Sequence, residues 1–552
     1  MSIIVPIFRG TQPRISPRLL DSTNSQTAMN CNLKRGILSP LMDLQGQAPN
    51  PIPKAGNLRS IYKLRSGDWL YWPNVVDICE AAATDSNSRI HFTGDVYPKQ
   101  TDAAMATSGS VFTYPTQTRR FGLPKPDQPL TVQLAPASVD EDAEIERSTS
   151  YVYTYVTDWG EESEPSDPTG SIDVKTGQEC VLTNFRLPTL DGVTVKSFRV
   201  YRLNAGDDSA ESQLVPYSNE TAEMPSSADT FTDNVADSDL SGEVLPTENW
   251  NRPKDDVSGL IHTGNGMFFC FRGKDIYVCE SFVAYAFPWN LAFNVPHDVV
   301  GLGYFDQTVV VLTKGHAHLI NGVDPESFSI DKFSYNEACV SKRSVVNSPA
   351  GVIYASPDGL VLIGPNGMSM LTSSLYTKEQ WRALNPEKLI GFYQDGQYIA
   401  FFEGTWPGII FDFEMQDIVN VSLTGKQVYG GHVDTEDDAL YLLTYDTAYR
   451  IEKWEGSSST LSFVWRSKDF FCSRPVNMGA ARIMGEQSEA SPVRFKTYLD
   501  GELVDSCVIT DDEPFRLSAG MKGRDWEFQL EGTADVFEVR MAPGIAELQY
   551  GQ

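Results

Sequence analysis

One set of acidic and hydroxyl residues has the spacing of a calcium-binding loop. It fits the pattern D-x-D-x-S-G-x5-E and comprises Asp237, Asp239, Ser241, Gly242 and Glu248. The flanks argue for another structure, because residues 231–233 are typical of a strand and Pro246 and Pro253 prevent the helix that follows such a loop. An acidic linker is therefore favoured over a calcium site, and both interpretations stay open.

Other residue types that could support chemistry lack the partners they need. His316 and His318 share one predicted strand face, but no third metal ligand lies near them in the sequence. The turn at residues 356–359 is similar to the aspartate turns of propeller glycosidases, yet the tryptophan of those turns is missing. No G-x-S-x-G, H-E-x-x-H or phosphate-binding motif is present. We predict that the protein is not an enzyme and needs no metal or cofactor.

Charge and composition exclude several classes of protein. The 552 residues include 73 acidic and 44 basic side chains, a formal net charge of -29, which disfavours tight binding of DNA phosphates. No run approaches the roughly 18 apolar residues of a membrane span, and the start of the chain lacks the features of a signal peptide. The eight cysteines are scattered singly. We expect reduced thiols, synthesis in a cytosol and no membrane insertion.

The elements that must carry these residues are predicted to be strands in a repeating pattern. A hydrophobic run, a polar turn and a second hydrophobic run recur at residues 266–279, 308–320, 360–371, 397–413 and 440–451. Their first strands begin 42, 52, 37 and 43 residues apart. A hairpin at about this interval is typical of four-stranded propeller blades. The predicted fold class is all-β with a β-propeller core. One helix is predicted at residues 377–384, where Thr377 and Gln380 form a capping box.

Composition divides the chain into five segments. Residues 1–55 form a predicted extended basic arm and 56–126 supply strands that close the propeller. Residues 127–248 form an inserted β-sandwich, 249–455 the main blades, and 456–552 a C-terminal β region that completes the propeller or forms a small sandwich. The arm either packs along its own protein or contacts an acidic neighbouring subunit. In the second case the contact residues are Arg14, Arg18, Lys34 and Arg35.

The predicted sandwich is the most acidic segment, with 24 Asp and Glu against 6 Lys and Arg over residues 135–248. Tyr151, Tyr153 and Tyr155 recur at every second position, which predicts that their rings share one face of a strand. The text YVYTYVTDWGEESEPS resembles the late strand and turn of fibronectin type III modules. It falls early in the segment, so the resemblance implies either an altered strand order or a local likeness.

Longer stretches resemble the tail nozzle, or distal tail tube, proteins of short-tailed bacteriophages and their prophage relatives. The resemblance is clearest over residues 8–385 and consists of turn and packing signatures. The matching segments are FRGTQPRISPRLL, WLYWPNVVDI, FTDNVADSDLSGEVLPTENW, YVCESFVAYAFPWN, VVLTKGHAHLINGVDPESFS, ACVSKRSVV, VIYASPDGLVLI and LYTKEQWRALNP.

This resemblance implies a propeller protein with inserted modules on its outside, six copies of which form a ring that continues the portal and adaptor channel at the end of the tail. Its implied partners are further copies of the chain, the tail adaptor, and a tail fibre or spike protein. Its implied place is the virion, after synthesis in the cytoplasm of the bacterial host. Double-stranded DNA would pass through the ring without tight binding, which suits a strongly acidic protein.

Two functions of other classes stay open on the sequence alone. A propeller glycosidase could degrade host surface polysaccharide with carboxylates that do not stand out among the 73 acidic residues. A carbohydrate-binding propeller, as a tail or cell-surface protein, is the other alternative. The missing signal peptide and the unpaired cysteines disfavour a secreted form.

Overall fold

The structure is a computed structural model that describes residues 2–81, 88–140, 142–189, 192–205, 211–218, 221–240, 242–404, 407–518 and 520–549. Strands dominate it, and the α-helices of the described chain are the short segments Ala103–Ala106, Lys378–Ala383 and Ile545–Gln549. The predicted all-β fold class, a propeller core with an inserted sandwich and a C-terminal β region, is confirmed.

In the described parts of the chain, seven antiparallel sheets surround a central channel, and we number them blades 1 to 7 in chain order. Blade 1 is the hairpin Ser60–Lys63 and Trp69–Trp72, and each other blade has four strands. Blade 2 comprises Asp77–Glu80, Ile90–Thr93, Lys99–Thr101 and Arg119–Arg120; blade 3 Ser258–His262, Phe268–Arg272, Asp275–Val278 and Phe293–Asn294; blade 4 Val299–Phe305, Thr308–Thr313, His318–Asn321 and Ser329–Lys332. Blade 5 comprises Val346–Ser348, Gly351–Ala355, Leu360–Gly364 and Gly367–Met370; blade 6 Leu389–Gln394, Gln397–Phe402, Pro407–Asp412 and Ile418–Ser422; blade 7 Gln427–Asp434, Ala439–Tyr445, Tyr449–Lys453 and Gln45–Gln47.

The second strands of the blades are buried on both faces, because the neighbouring blades cover them. All five residues of Gly351–Ala355 are buried, and so are six of the seven in Ala439–Tyr445. Such strands are continuous apolar runs and do not alternate, which is why the hairpins are visible in the sequence.

All five predicted hairpins are present, but one has a different place in its blade. Four of them form the second and third strands of blades 3, 4, 6 and 7, whereas the hairpin at residues 360–371 forms the third and fourth strands of blade 5. The second strand of blade 5 is Gly351–Ala355, an equally apolar run outside the predicted pattern. The unequal spacing of 52 and 37 residues in the sequence arises from this shift.

A strand from the first 55 residues completes the last blade of the propeller ring. Gln45–Gln47 is the outer strand of blade 7 and pairs antiparallel with Tyr449–Lys453. Residues 56–126 form blades 1 and 2, and blade 1 packs against blade 7, so these residues also lie where the ring closes. The basic arm is therefore not a free extension, because its strands are part of the propeller and of the C-terminal sandwich.

The C-terminal region forms a sandwich and not a further blade. One sheet contains Ile3–Val5, Val536–Ala542, Ala480–Gly485 and Phe515–Arg516. The other contains Ser25–Met29, Phe463–Ser467, Gly523–Gly532, Val493–Leu499 and Glu502–Ile509, with Phe470–Val476 paired to Gly523–Gly532. Two of these strands come from the N-terminus of the chain. The pairing of Met29 with Asn420 joins the second sheet to the outer strand of blade 6.

One hydrophobic core runs from the C-terminal sandwich into the propeller. It contains Phe8 of the N-terminal segment, Phe401 of blade 6, Leu442 of blade 7, and Trp465 and Phe528 of the sandwich. The ring of Phe8 meets that of Trp465 edge-on at 5.0 Å between centroids. These three parts of the chain therefore fold around a shared interior.

The inserted module lies between blades 2 and 3 and has a core of its own. One sheet contains Thr131–Ala135, Glu179–Thr183 and Phe231–Asp233; the other contains Ile172–Lys175, Ile145–Thr157, Val195–Asn204, Gln213–Val215 and Met224–Pro225. Tyr151, Tyr153 and Tyr155 are buried in this core, as their spacing predicts. Their strand lies inside its sheet, between Ile172–Lys175 and Val195–Asn204.

The predicted helix is confirmed at Lys378–Ala383 with its capping box. The Thr377 side chain accepts a hydrogen bond from the Gln380 backbone, and the Gln380 side chain accepts one from the Thr377 backbone. Trp381 anchors the helix, since its ring is fully buried and its indole nitrogen donates to the Ser356 carbonyl at 2.9 Å.

Candidate functional site

The main cavity of the described chain is the central channel of the propeller, with a volume of about 610 Å³. The first strand of every blade contributes residues to its wall. The first strands of the seven blades and the residues next to them in the chain therefore position the side chains of the wall. Apolar residues such as Ile78, Ile261, Ile390 and Phe392 alternate in the wall with charged and polar ones.

One end of the channel collects basic side chains, and we call it the cationic end. It comprises Arg59, Lys342 and Arg343 with the carboxylates of Asp77 and Glu403. Lys342 Nζ lies 2.5 Å from Asp77 Oδ2, and Glu403 pairs with both arginines. Burial lowers the pKa of Arg343 to about 10, although Glu403 opposes the shift.

The inner strands of blades 1, 2 and 7 finish in a group of opposite character, which we call the acidic end. Its carboxylates are Glu80, Asp434, Glu436 and Asp437, and its cations are Lys63, Arg65 and Lys453. Tyr62 donates to Glu80 at 2.9 Å, and its ring lies 4.7 Å from that of His432. Burial lowers the pKa of His432 to about 4, so this histidine is neutral at physiological pH.

A second group of charged residues joins the module to blade 2. Glu161 of the module is 4% exposed and accepts a hydrogen bond from Gln100 at 2.9 Å. Arg89 and Arg119 approach the ring of Trp159, at 4.7 and 4.0 Å from its centroid. Although Arg89 lies 3.9 Å from Glu161, burial outweighs its charge and raises the pKa of Glu161 to about 6.

Polar contacts also tie the module to blade 3 and its approach. Tyr285 accepts a hydrogen bond from the Glu162 backbone at 3.1 Å, and Asn251 donates to Glu164 at 2.7 Å. The contacts at both blades come from the turn that carries residues 157–164. The acidic sequence of this turn resembles that of a fibronectin type III module. In the structure, the turn is the surface through which the module contacts the propeller.

The four predicted partner-contact residues are all exposed, but three of them bind their own protein. Arg14 donates to the Ser373 carbonyl, and the Arg18 guanidinium lies 3.6 Å from the centroid of the Phe471 ring. Lys34 lies 3.8 Å from Asp395. Arg35 is exposed at a turn. The structure spreads these side chains over several surfaces and does not bring them together.

The possible calcium loop has another role where it is described. Asp237 accepts a hydrogen bond from Arg202 at 2.7 Å, and Arg202 is itself buried against Asp233. Glu248 is exposed, and Ser241 lies outside the described residues. Within the described ranges no group of three or more His, Cys, Asp or Glu side chains could hold a metal ion.

The remaining candidates have structural roles. His318 begins a strand of blade 4, whereas His316 precedes that strand and bonds to the Tyr335 carbonyl at 3.1 Å, so the predicted shared strand face is wrong. Asp358, in the turn similar to a glycosidase turn, pairs with Lys378 at 2.5 Å and Arg382 at 2.6 Å. It therefore fixes the helix to blade 5. All eight cysteines are free.

The charged residues of the channel were missed in the sequence. One signal was available, because Lys342 and Arg343 form a basic pair directly before the first strand of blade 5. The other charged residues of the channel can be recognised only when the first strand of each blade is known. The residues that pair across the channel, such as Asp77 and Lys342, are far apart in the sequence.

Comparisons with known proteins give no function for this chain. The chain is similar to solved structures of U3-55K, of the Neurospora crassa Pan2 WD40 domain and of the RRP9 WD40 repeats, at 10%, 7% and 9% identity. Each match covers 51% of this chain and 91%, 84% and 90% of the other, with a TM-score of 0.26 in each case. No family model and no curated protein match the sequence.

The α-helices of the described chain have four to six residues, whereas a membrane span needs about 20 consecutive, mostly apolar residues. In the described part of the chain, none of them is long and apolar enough to cross a bilayer.

Proposed function

We propose that this protein is a structural component of a bacteriophage tail, a nozzle whose copies form a ring around the path of the ejected DNA. The observation that carries the proposal is the architecture: a propeller with a β-sandwich inserted between two of its blades. That is the arrangement implied by the family that the sequence resembles. The proposed role is structural and requires no catalysis.

The size of the channel indicates where the DNA would run. One turn of duplex DNA is about 34 Å long, and its major groove is about 12 Å wide and 8.5 Å deep. The groove of one turn alone therefore encloses on the order of several thousand Å³, and the whole duplex turn occupies more. The propeller channel has about 610 Å³. A duplex therefore does not fit inside one propeller, and the conduit of the proposed nozzle is formed between copies.

The surface charge suits that role. A wall that neutralised phosphates would add a salt-dependent attraction to every step of the moving strand. With a formal net charge of -29, the chain offers little such attraction. Proposed partners are further copies of the chain, the tail adaptor, and a fibre or spike protein.

Electron microscopy of the purified protein, combined with a duplex-binding titration near physiological salt, tests this proposal. We expect six-fold rings and no measurable affinity for duplex DNA. Monomers that cleave host capsule or lipopolysaccharide would contradict the proposal and support a glycosidase. A micromolar, salt-sensitive affinity for duplex would contradict the non-binding conduit.

A further inference from the structure

The cationic end of the propeller channel has more positive than negative charge. Three cations, Arg59, Lys342 and Arg343, meet two carboxylates there, Asp77 and Glu403. The protein as a whole has the opposite balance, with a formal net charge of -29. The acidic end of the same channel follows the whole protein, since four carboxylates meet three cations there, Lys63, Arg65 and Lys453. The positive surplus is thus local.

The ion pair of Lys342 is held in a fixed position. Asp77 accepts hydrogen bonds from Lys342 at 2.5 Å, from the Gly259 backbone at 2.7 Å and from the Thr93 hydroxyl at 3.1 Å. Three donors on one carboxylate hold its oxygens rigidly, and the ammonium with them. The Lys342 side chain is 26% exposed and borders the cavity, so part of it faces the open space.

Arg343 is the least compensated cation of the group. Its side chain is only 16% exposed and lies 3.5 Å from Glu403, a carboxylate that Arg343 shares with Arg59. It also donates to the backbone carbonyls of Arg59 and Tyr429. Burying a cation without a full counter-charge is unfavourable, and its lowered pKa has the same cause. A further anion beside Arg343 would relieve this cost.

We propose that the cationic end of the channel binds a small molecule through an oxyanion group, a phosphate or a carboxylate, with Lys342 and Arg343 as its principal ligands. An ammonium and a guanidinium together form charge-assisted hydrogen bonds to such a group. The cavity of about 610 Å³ has room for a larger ligand than the anion itself, and Ile390 and Phe392 give it an apolar wall. This site is separate from the path of DNA proposed above.

Thermal unfolding of the full-length protein, titrated with inorganic phosphate or with succinate at constant ionic strength, tests the site. A ligand that binds only the folded state raises the Tm along a saturation curve. The variants are Lys342→Met and Arg343→Gln, with Lys63→Met as the matched control. Each removes one positive charge from the channel wall or its rim, but Lys63 belongs to the acidic end. We expect saturable stabilisation of the wild type and of Lys63→Met.

In Lys342→Met or Arg343→Gln the apparent affinity should fall at least about tenfold, since a charge-assisted hydrogen bond is lost. A response to phosphate alone identifies a phosphate ligand, and a response to succinate alone a carboxylate ligand. If Arg343→Gln does not fold, Lys342→Met decides. No saturable stabilisation by either anion, or equal stabilisation of all variants, would overturn the proposal.

Discussion

The N-terminal segment, residues 2–47, and the inserted module are attached to the propeller in opposite ways. The segment contributes strands to both sheets of the C-terminal sandwich and to blade 7, and Phe8 lies in the core that all three share. The module keeps a separate core and meets the propeller through Glu161, Trp159 and other polar or charged groups. The first attachment is apolar and continuous, whereas the second is polar and local.

This difference distinguishes the N-terminal segment, which stabilises the propeller, from the module, which is attached to the propeller surface. Apolar burial contributes about 25 cal/mol per Å² and does not depend on pH, so the N-terminal segment should be essential for folding. Polar contacts at a surface contribute little each and respond to charge and pH. The module should therefore be removable or replaceable without loss of the propeller.

The largest expected effect distinguishes the two attachments directly. Deleting residues 1–47 removes the closing strand of blade 7 and two sandwich strands, and should prevent folding. Deleting residues 127–248 and joining the ends should leave a folded, soluble β protein. Circular dichroism and thermal unfolding compare the two. A folded product of the first deletion, or an unfolded product of the second, would reverse the comparison.

Removal of one buried aromatic ring should have the next largest effect on stability. Phe8→Ala removes a fully buried side chain that packs against Trp465, and should lower the free energy of unfolding by about 3–5 kcal/mol. Phe112→Ala is the control, because Phe112 is 60% exposed, and should change it by less than about 0.5 kcal/mol. Denaturant titration measures both. Similar losses in the two variants would mean that Phe8 is not part of the structural core.

Backbone contact between the segment and blade 6 gives the next effect. A Cβ added at Gly10 would lie 2.6 Å from the Ile418 carbonyl oxygen and 2.9 Å from Asp417 Cγ, so Gly10→Ala must displace backbone. We expect a loss of about 1–3 kcal/mol of stability. Gly170→Ala, where a Cβ meets nothing within 4 Å, should be neutral or slightly stabilising. A neutral Gly10→Ala, by the same titration, would show that the segment packs loosely.

The module junction should respond to pH with a definite sign. The pKa of Glu161 is raised from 4.5 to about 6 in the folded protein, so the folded state holds this proton more tightly than the unfolded state. Its contribution to stability is greatest below pH 4.5 and is lost as pH rises through about 6, by about 2 kcal/mol. As the pH rises through this window, the free energy of unfolding of Glu161→Gln should therefore increase relative to that of the wild type.

Unfolding curves of the module between pH 4 and pH 7 measure this difference, with the exposed Glu146→Gln as control. A difference between Glu161→Gln and wild type that does not change with pH would show that Glu161 is not buried at the junction.

The smallest effect concerns the basic residues of the N-terminal segment. The exposed pair of Lys34 and Asp395 contributes less than about 1 kcal/mol, so Lys34→Ser and Arg35→Ser should leave the Tm nearly unchanged. If these side chains contact a neighbouring copy or the adaptor, the variants should instead weaken ring assembly, most strongly at low salt. Analytical ultracentrifugation across a salt series measures this. Unchanged assembly at every salt concentration would remove the predicted contact.

The blades could be predicted from the sequence because their buried strands are continuous apolar runs next to polar turns. The hairpin at residues 360–371 was recognised as such, but its position in blade 5 depends on Gly351–Ala355, which is equally apolar. The strands Ile3–Val5 and Gln45–Gln47 have only three residues each, too few for a periodic pattern. Their partners lie hundreds of residues away, so the closure of the ring could not be predicted locally.

The candidate site was less predictable than the fold. Asp77 meets Lys342, and Glu403 meets Arg343, only because different blades bring them together, and nothing in their local sequence distinguishes them from other charged residues. Asp237 is the converse case, because its calcium-like spacing is visible in the sequence although its side chain pairs with Arg202. The spacing of residues along the chain can predict a binding site only where all the ligands of that site come from one segment.

The proposed nozzle requires that DNA pass between copies of this protein and not through its propeller. A cryo-electron microscopy reconstruction of the assembled ring tests it most directly. We predict six copies around an axial opening wide enough for a duplex, with the narrow propeller channels lying off that axis. A reconstruction in which a propeller channel lies on the DNA path, or in which the copies do not close into a ring, would contradict the account.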